Sequence, residues 1–302
     1  VTMQERQLRA GSTAVRVRTA TFIGVTFSAS WLFWFVASPA AQGQQTILLA
    51  TIYMFGPLVG ALVTARAFDR DRTAAMIGWR WRFSRWWIVG WLLAGALALG
   101  AALASSLLPG VTLQSASEGA LAAVQASGAE IRPELAEDLP SFPILVVLAL
   151  LGGIIPNAIA GFGEEAGWRG YLWSVVRHMG FWKASLLVGT IWGLWHAPLI
   201  IAGHNYGAGY WGFPWTGVLM MTSFCIALSP VMGFLRDRTG SAIPAAIFHG
   251  TINSMSGISL FLLDGANIWS LGIIGFPGLA ILAVVTAGLL LLRNDQARSQ
   301  GD

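Results

Sequence analysis

The chain has 302 residues, 55% of them hydrophobic and only 11% charged, and its mean hydropathy is +0.65. That balance excludes an ordinary soluble domain and predicts an all-α, polytopic integral membrane protein. A net charge of +4 and a pI near 9.8 do not argue for nucleic acid, because the arginines flank apolar runs, where they orient membrane helices.

Eight apolar runs are long enough to span, judged against the roughly 20 residues a membrane helix needs: 21–41, 46–67, 87–108, 143–162, 184–202, 216–235, 242–263 and 271–292. The first exceeds the 7 to 15 residues of a signal-peptide core, so it is read as a retained span. Arg6, Arg9, Arg16 and Arg18 precede it, and Arg66, Arg70, Arg72, Arg80, Arg82 and Arg85 surround the second connection. The fourth connection carries Arg169, Arg177 and Lys183, the sixth Arg236 and Arg238, and the C-terminal tail Arg293 and Arg298. With eight spans, 17 of the 18 basic residues fall on one side, and only Arg132 on the other, among Glu118, Glu130, Glu134, Glu137 and Asp138. The positive-inside rule therefore predicts that both termini are cytoplasmic.

Between the second and third runs, GWRWRFSRWW interleaves arginine with tryptophan and reads as a segment lying at the membrane interface. The third connection is rich in Ala, Ser and Glu, and a short amphipathic helix is expected over 116–126. A second one is expected over 166–178 at the cytoplasmic edge, with Tyr171, Trp173 and Arg177 as interface anchors and His178 as an ordinary interfacial histidine. His204, in the polar loop GHNYGAGYWGFPW, reads as a solvated loop histidine, although it could also touch a substrate or ion. Cys225 is the single cysteine, so no intramolecular disulfide can form, and it reads as core filler.

The chemistry concentrates at 161–170, GFGEEAGWRG, at the end of a long apolar run. An ionisable side chain at the centre of a membrane helix costs roughly 2.5 to 3.5 kcal/mol on insertion scales, so such groups face a protein interior and carry function. Glu165 and Arg169 are four apart and can pair on one helical face. Glu164 points about 100° away and is expected to have no partner in its own segment, which leaves it available for chemistry. Two later apolar runs supply His196, and His249 with Asn253 four residues on. One carboxylate, two imidazoles and a carboxamide suit the activation of water. The same inventory is open to a transporter, since those also place Glu and His at depth. No Walker sequence, dinucleotide fingerprint or helical HExxH zinc signature is present.

In order, these segments read Glu164-Glu165-Ala166-Gly167-Trp168-Arg169, Trp192-Gly193-Leu194-Trp195-His196 and His249-Gly250-Thr251-Ile252-Asn253. Together they resemble EExxxR, FxxxH and HxxxN, the motifs of the CPBP (Abi) family of intramembrane proteases, which includes the type II CAAX prenyl endopeptidases. Trp192 stands where the family usually has Phe. The resemblance covers about 143–263. It implies four parts: a tail at 1–20, three spans and their connections at 21–142, a catalytic core at 143–263, and a last span and tail at 264–302. It also implies a bacterial inner-membrane endopeptidase acting on membrane-associated or CAAX-like peptides, with the lipid bilayer and a peptide or protein substrate as partners and no nucleic acid.

In that reading Glu164 and His196 activate a water, His249 and Asn253 stabilise the oxyanion, and Glu165, Arg169 and Trp192 support them. No cofactor is expected in the preferred version; zinc held by Glu164, His196 and His249 is the alternative. A scaffold or immunity partner of the same fold is a further one. The site is expected to open toward the cytoplasm. One difficulty stands: at ~1.5 Å per residue His249 lies about 11 Å into its span and His196 about 18 Å into its own. They meet only if the fifth helix starts below the membrane surface or the fourth is broken near Gly161.

Overall fold

The computed structural model describes residues 3–41, 43–126 and 140–298. The acidic stretch with Arg132, Glu130, Glu134, Glu137 and Asp138 lies outside them. Each of the eight apolar runs is helical over most of its length, and with the helix of the third connection the longer helices are α1 (Met3–Ala37), α2 (Gln44–Tyr53), α3 (Gly56–Phe68), α4 (Arg85–Ser105), α5 (Ala116–Ala126), α6 (Phe142–Ile154), α7 (Asn157–Glu165), α8 (Phe181–Trp195), α9 (Trp215–Thr239), α10 (Ile243–Ser256) and α11 (Phe276–Arg298). Helix is the form an apolar chain must take in lipid, because each backbone N–H and C=O then finds its partner within the segment. The chain is an integral, all-helical membrane protein.

Among the described residues, five helical stretches are by themselves long and apolar enough to cross a bilayer, and the α6–α7 pair makes a sixth if counted as one bent span. The eight runs therefore do not all form straight, self-sufficient spans. Helix α10 has only 14 residues and is buried along most of its length, packed on α4, α6 and α7. The second run is interrupted between Tyr53 and Gly56, before Pro57. The fourth is bent by 43° between α6 and α7, where Pro156 withholds a backbone N–H. This is one of the two ways in which the depth argument could be met, with the break at Pro156, five residues before Gly161.

Helix α5 occupies the expected residues. Its end of the molecule also holds the only strand pair among the described residues, Thr112–Leu113 antiparallel to Leu263–Asp264. The segment 79–84 is not helical; Trp81 and Phe83 are each 71% exposed there, as an interfacial segment requires. The stretch 166–178 departs from expectation. Instead of an amphipathic surface helix, Ala166–Leu172 continues α7 as a π-helix whose seven residues are all buried. Tyr171 and Trp173 are core residues rather than interface anchors, because they pack on Phe22 of α1 and Phe181 of α8 respectively.

Helices approach closely where glycine faces backbone. A Cβ on Gly161 would sit 2.8 Å from the Ala246 carbonyl oxygen of α10, and one on Gly167 2.5 Å from the Pro57 side chain of α3. With no hydrophobic force acting between helices in lipid, such small-residue contacts provide the packing.

Candidate active site

Two features of the chain bring the polar residues together. Helix α7 presents Glu164 and Glu165 at its C-terminal end, and the π-helix that follows turns Trp168 and Arg169 back onto them. Helix α8 stops at Trp195, since Pro198 cannot continue its hydrogen-bond ladder. The carbonyl of Trp195 is taken up by Tyr53 Oη at 2.6 Å and Trp31 Nε1 at 3.1 Å, which fixes the chain where His196 begins.

Glu165 is saturated. Both of its oxygens accept from Arg169 Nη1 at 3.0 Å, and Oε1 also accepts from His249 Nδ1 at 2.9 Å. The expected Glu165–Arg169 pair is thus present, fully buried, and it extends to His249. The Arg169 guanidinium stacks over the Trp192 ring at 4.4 Å. Its Nε and Nη2 have no hydrogen-bond partner among the described residues, so the ring face is what covers that side of the cation.

Glu164 is 2% exposed and has more company than expected. Trp192 Nε1 donates to its Oε2 at 2.6 Å, and Trp168 Nε1, in its own segment, donates to the same oxygen at 3.4 Å. Among the described residues nothing donates to Oε1. Trp192 is therefore more than an aromatic replacement for phenylalanine, which has no donor to make this bond.

His196 places Nδ1 2.9 Å from the Trp192 carbonyl. A carbonyl has no proton to give, so Nδ1 carries the hydrogen and neutral His196 keeps a lone pair on Nε2. His249 Nδ1 faces a carboxylate and donates by the same reasoning. Asn253 is exposed, and its carboxamide has no partner among the described residues. Glu164, His196, His249 and Asn253 all line one cavity of about 380 Å³, with Trp192 in its wall. Glu165 and Arg169 lie behind that wall.

The cavity does not open as expected. From Glu164 it runs past Met54 and Asn157 to Thr46, His204, Asn205, Ser256 and Ile274, which belong to the arginine-poor ends of the helices. On the arginine-rich side Trp168, Arg169 and Tyr171 are fully buried, and Arg236 Nε ties down the Arg169 carbonyl at 2.7 Å. The fully packed π-helix closes that route. His204 is a rim residue of the cavity, and His178 is not part of it.

Among the described residues no three His, Cys, Asp or Glu side chains come together where they could hold a metal ion.

Residues 141–255 match the family model for type II CAAX prenyl endopeptidase Rce1-like proteins. Over that segment the chain is similar to the Rce1-like family. It is also 37% identical over 103 residues to "CAAX prenyl protease 2" of Methanococcus maripaludis, an overlap covering 32% of this chain and 36% of that protein. The match thus spans about a third of the length of the curated relative. The Rce1-like segment holds all three motifs and runs from α6 through most of α10, while Tyr53, Trp31, Thr46 and Met54 come from outside it. Sequence reasoning missed these four, along with Asn157 and Trp168, and it named Trp192 as a supporting residue without its hydrogen bond to Glu164. An aromatic or threonine in an apolar run carries no local mark of a partner more than a hundred residues away.

Proposed function

We propose that the chain is an intramembrane endopeptidase in which Glu164 activates a water for attack on a peptide carbonyl. The observation that supports this most is the asymmetry of Glu164: two indoles hold Oε2, so Oε1 remains to accept from a water in the cavity. His196 Nε2, with its lone pair, is the second acceptor for that water. A base within hydrogen-bond reach of the nucleophile is worth typically 10² to 10⁴ in rate.

His249 and Asn253 then serve the developing oxyanion. Because His249 Nδ1 already donates to Glu165, donation from Nε2 requires both ring protons, and Glu165 is the counter-charge that such an imidazolium needs. The site so assembled is balanced: two carboxylates, one guanidinium and one imidazolium. The Asn253 amide supplies the second donor. The proton taken by Glu164 goes to the leaving amine, which restores the carboxylate.

Purified enzyme and a quenched fluorogenic peptide test the reading. Glu164→Gln is expected to lower kcat by about 10² to 10⁴-fold, and Asn253→Ala by about 10² to 10³-fold, the usual loss for one oxyanion donor. Cleavage by Glu164→Gln at the unaltered rate would remove the base from the mechanism.

A further inference from the structure

We propose that this site takes its substrates from the face opposite the arginine-rich one. They would be uncharged stretches of polypeptide that have been exported, or that are anchored in the outer leaflet. The inference rests on the protease reading and names the substrate class for it. Two independent observations meet here. The first is charge: 17 of the 18 basic residues fall on one side of the eight runs, and that side is the cytoplasmic one by the positive-inside rule. The second is the course of the cavity. It begins between Glu164, near the C-terminal end of α7, and His249, midway along α10, and from there its lining continues past Trp192 and His196 to Thr46, Asn205 and Ser256, at the ends of the helices remote from the arginines.

None of its lining residues comes from the connections that hold Arg70 to Arg85, Arg177 and Lys183, or Arg236 and Arg238. A peptide arriving from the arginine-rich face would have to displace Trp168, Arg169 and Tyr171, none of which exposes any surface. A peptide arriving from the other face meets Thr46, Thr51, Asn157, Asn205 and Ser256 on the way in. These are neutral donors and acceptors suited to the backbone of an extended chain. Among the described residues the only carboxylate on the wall is Glu164 itself, so a cationic residue beside the scissile bond would pair with the base, and an anionic one would compete with the oxyanion for the His249 imidazolium. A neutral segment fits.

The experiment reads sidedness and cleavage separately, in the full-length protein with Cys225→Ala as background. Thr46→Cys and Asn205→Cys report the cavity mouth, and Arg72→Cys the arginine-rich face. A membrane-impermeant maleimide should modify the first two in intact spheroplasts and the third only in inside-out vesicles. A quenched fluorogenic peptide with an uncharged core, added from outside, should then be cleaved by spheroplasts and not by sealed inside-out vesicles, with the signal lost in Glu164→Gln. Mouth labelling in inside-out vesicles alone, or cleavage confined to them, would overturn the proposal. Correct labelling with Glu164-dependent cleavage in neither preparation would overturn the protease reading, and this inference with it.

Discussion

Trp192 is the side chain on which the two halves of the site meet. Its N–H holds Glu164, its face covers Arg169, and its edge lies against His249, with ring centroids 5.3 Å apart. Trp192→Phe keeps the face and the edge and removes only the N–H. A hydrogen bond to a charged group is worth about 1.5 to 3 kcal/mol, so kcat should fall by about 10 to 100-fold while KM stays unchanged, since the carboxylate is misdirected but the cavity keeps its shape. A rise in KM with unaltered kcat would instead assign the residue to substrate binding. Glu165→Gln is a different kind of change. It leaves Arg169 buried without a counter-charge, a loss of about 3 to 5 kcal/mol for a broken buried pair, and should appear first as a lower unfolding temperature in detergent.

At the scale of elements, glycine and proline decide where helices can touch and stop. Gly161→Val forces a Cβ against the Ala246 carbonyl oxygen, a backbone atom that cannot swing aside. Overpacking of about 1 to 3 kcal/mol should therefore lower the unfolding temperature, and activity per folded molecule should fall as α7 is pushed off α10. Much of this level is legible in the sequence. The apolar runs give the helices, Pro156 gives the bend, and the spacing of Glu165 and Arg169 gives their pair. The π-helix was not legible. Ala166 to Leu172 has the pattern of a helix dipping toward water, Trp and Tyr beside Arg, and only contacts with Phe22, Pro57 and Ile77, far away in the chain, draw it inward. The two indole hydrogen bonds to Glu164 escaped for a different reason, since a tryptophan that packs and one that also donates look identical in one dimension.

For the whole molecule, the arginine distribution sets which way the cavity faces. Replacing Arg70, Arg72, Arg80, Arg82 and Arg85 together by Gln removes the largest basic cluster and should yield a population inserted in both senses, read as maleimide modification of Asn205→Cys from both sides of sealed membranes. Arg132 and the acidic residues around it are outside the described residues, so the far face is defined by how few cations it has. The blind end of the cavity matters for the cell as well as for catalysis. A cavity of about 380 Å³ lined by Glu164 and three histidines reaches partway through a barrier that must hold back protons and sodium. Below Glu164 that barrier is Trp168 and Tyr171 packed on Phe22 beside the paired Arg169, none of them exposing any surface, so a sealed layer of protein separates the floor of the pit from the arginine-rich face and keeps the bilayer electrically tight.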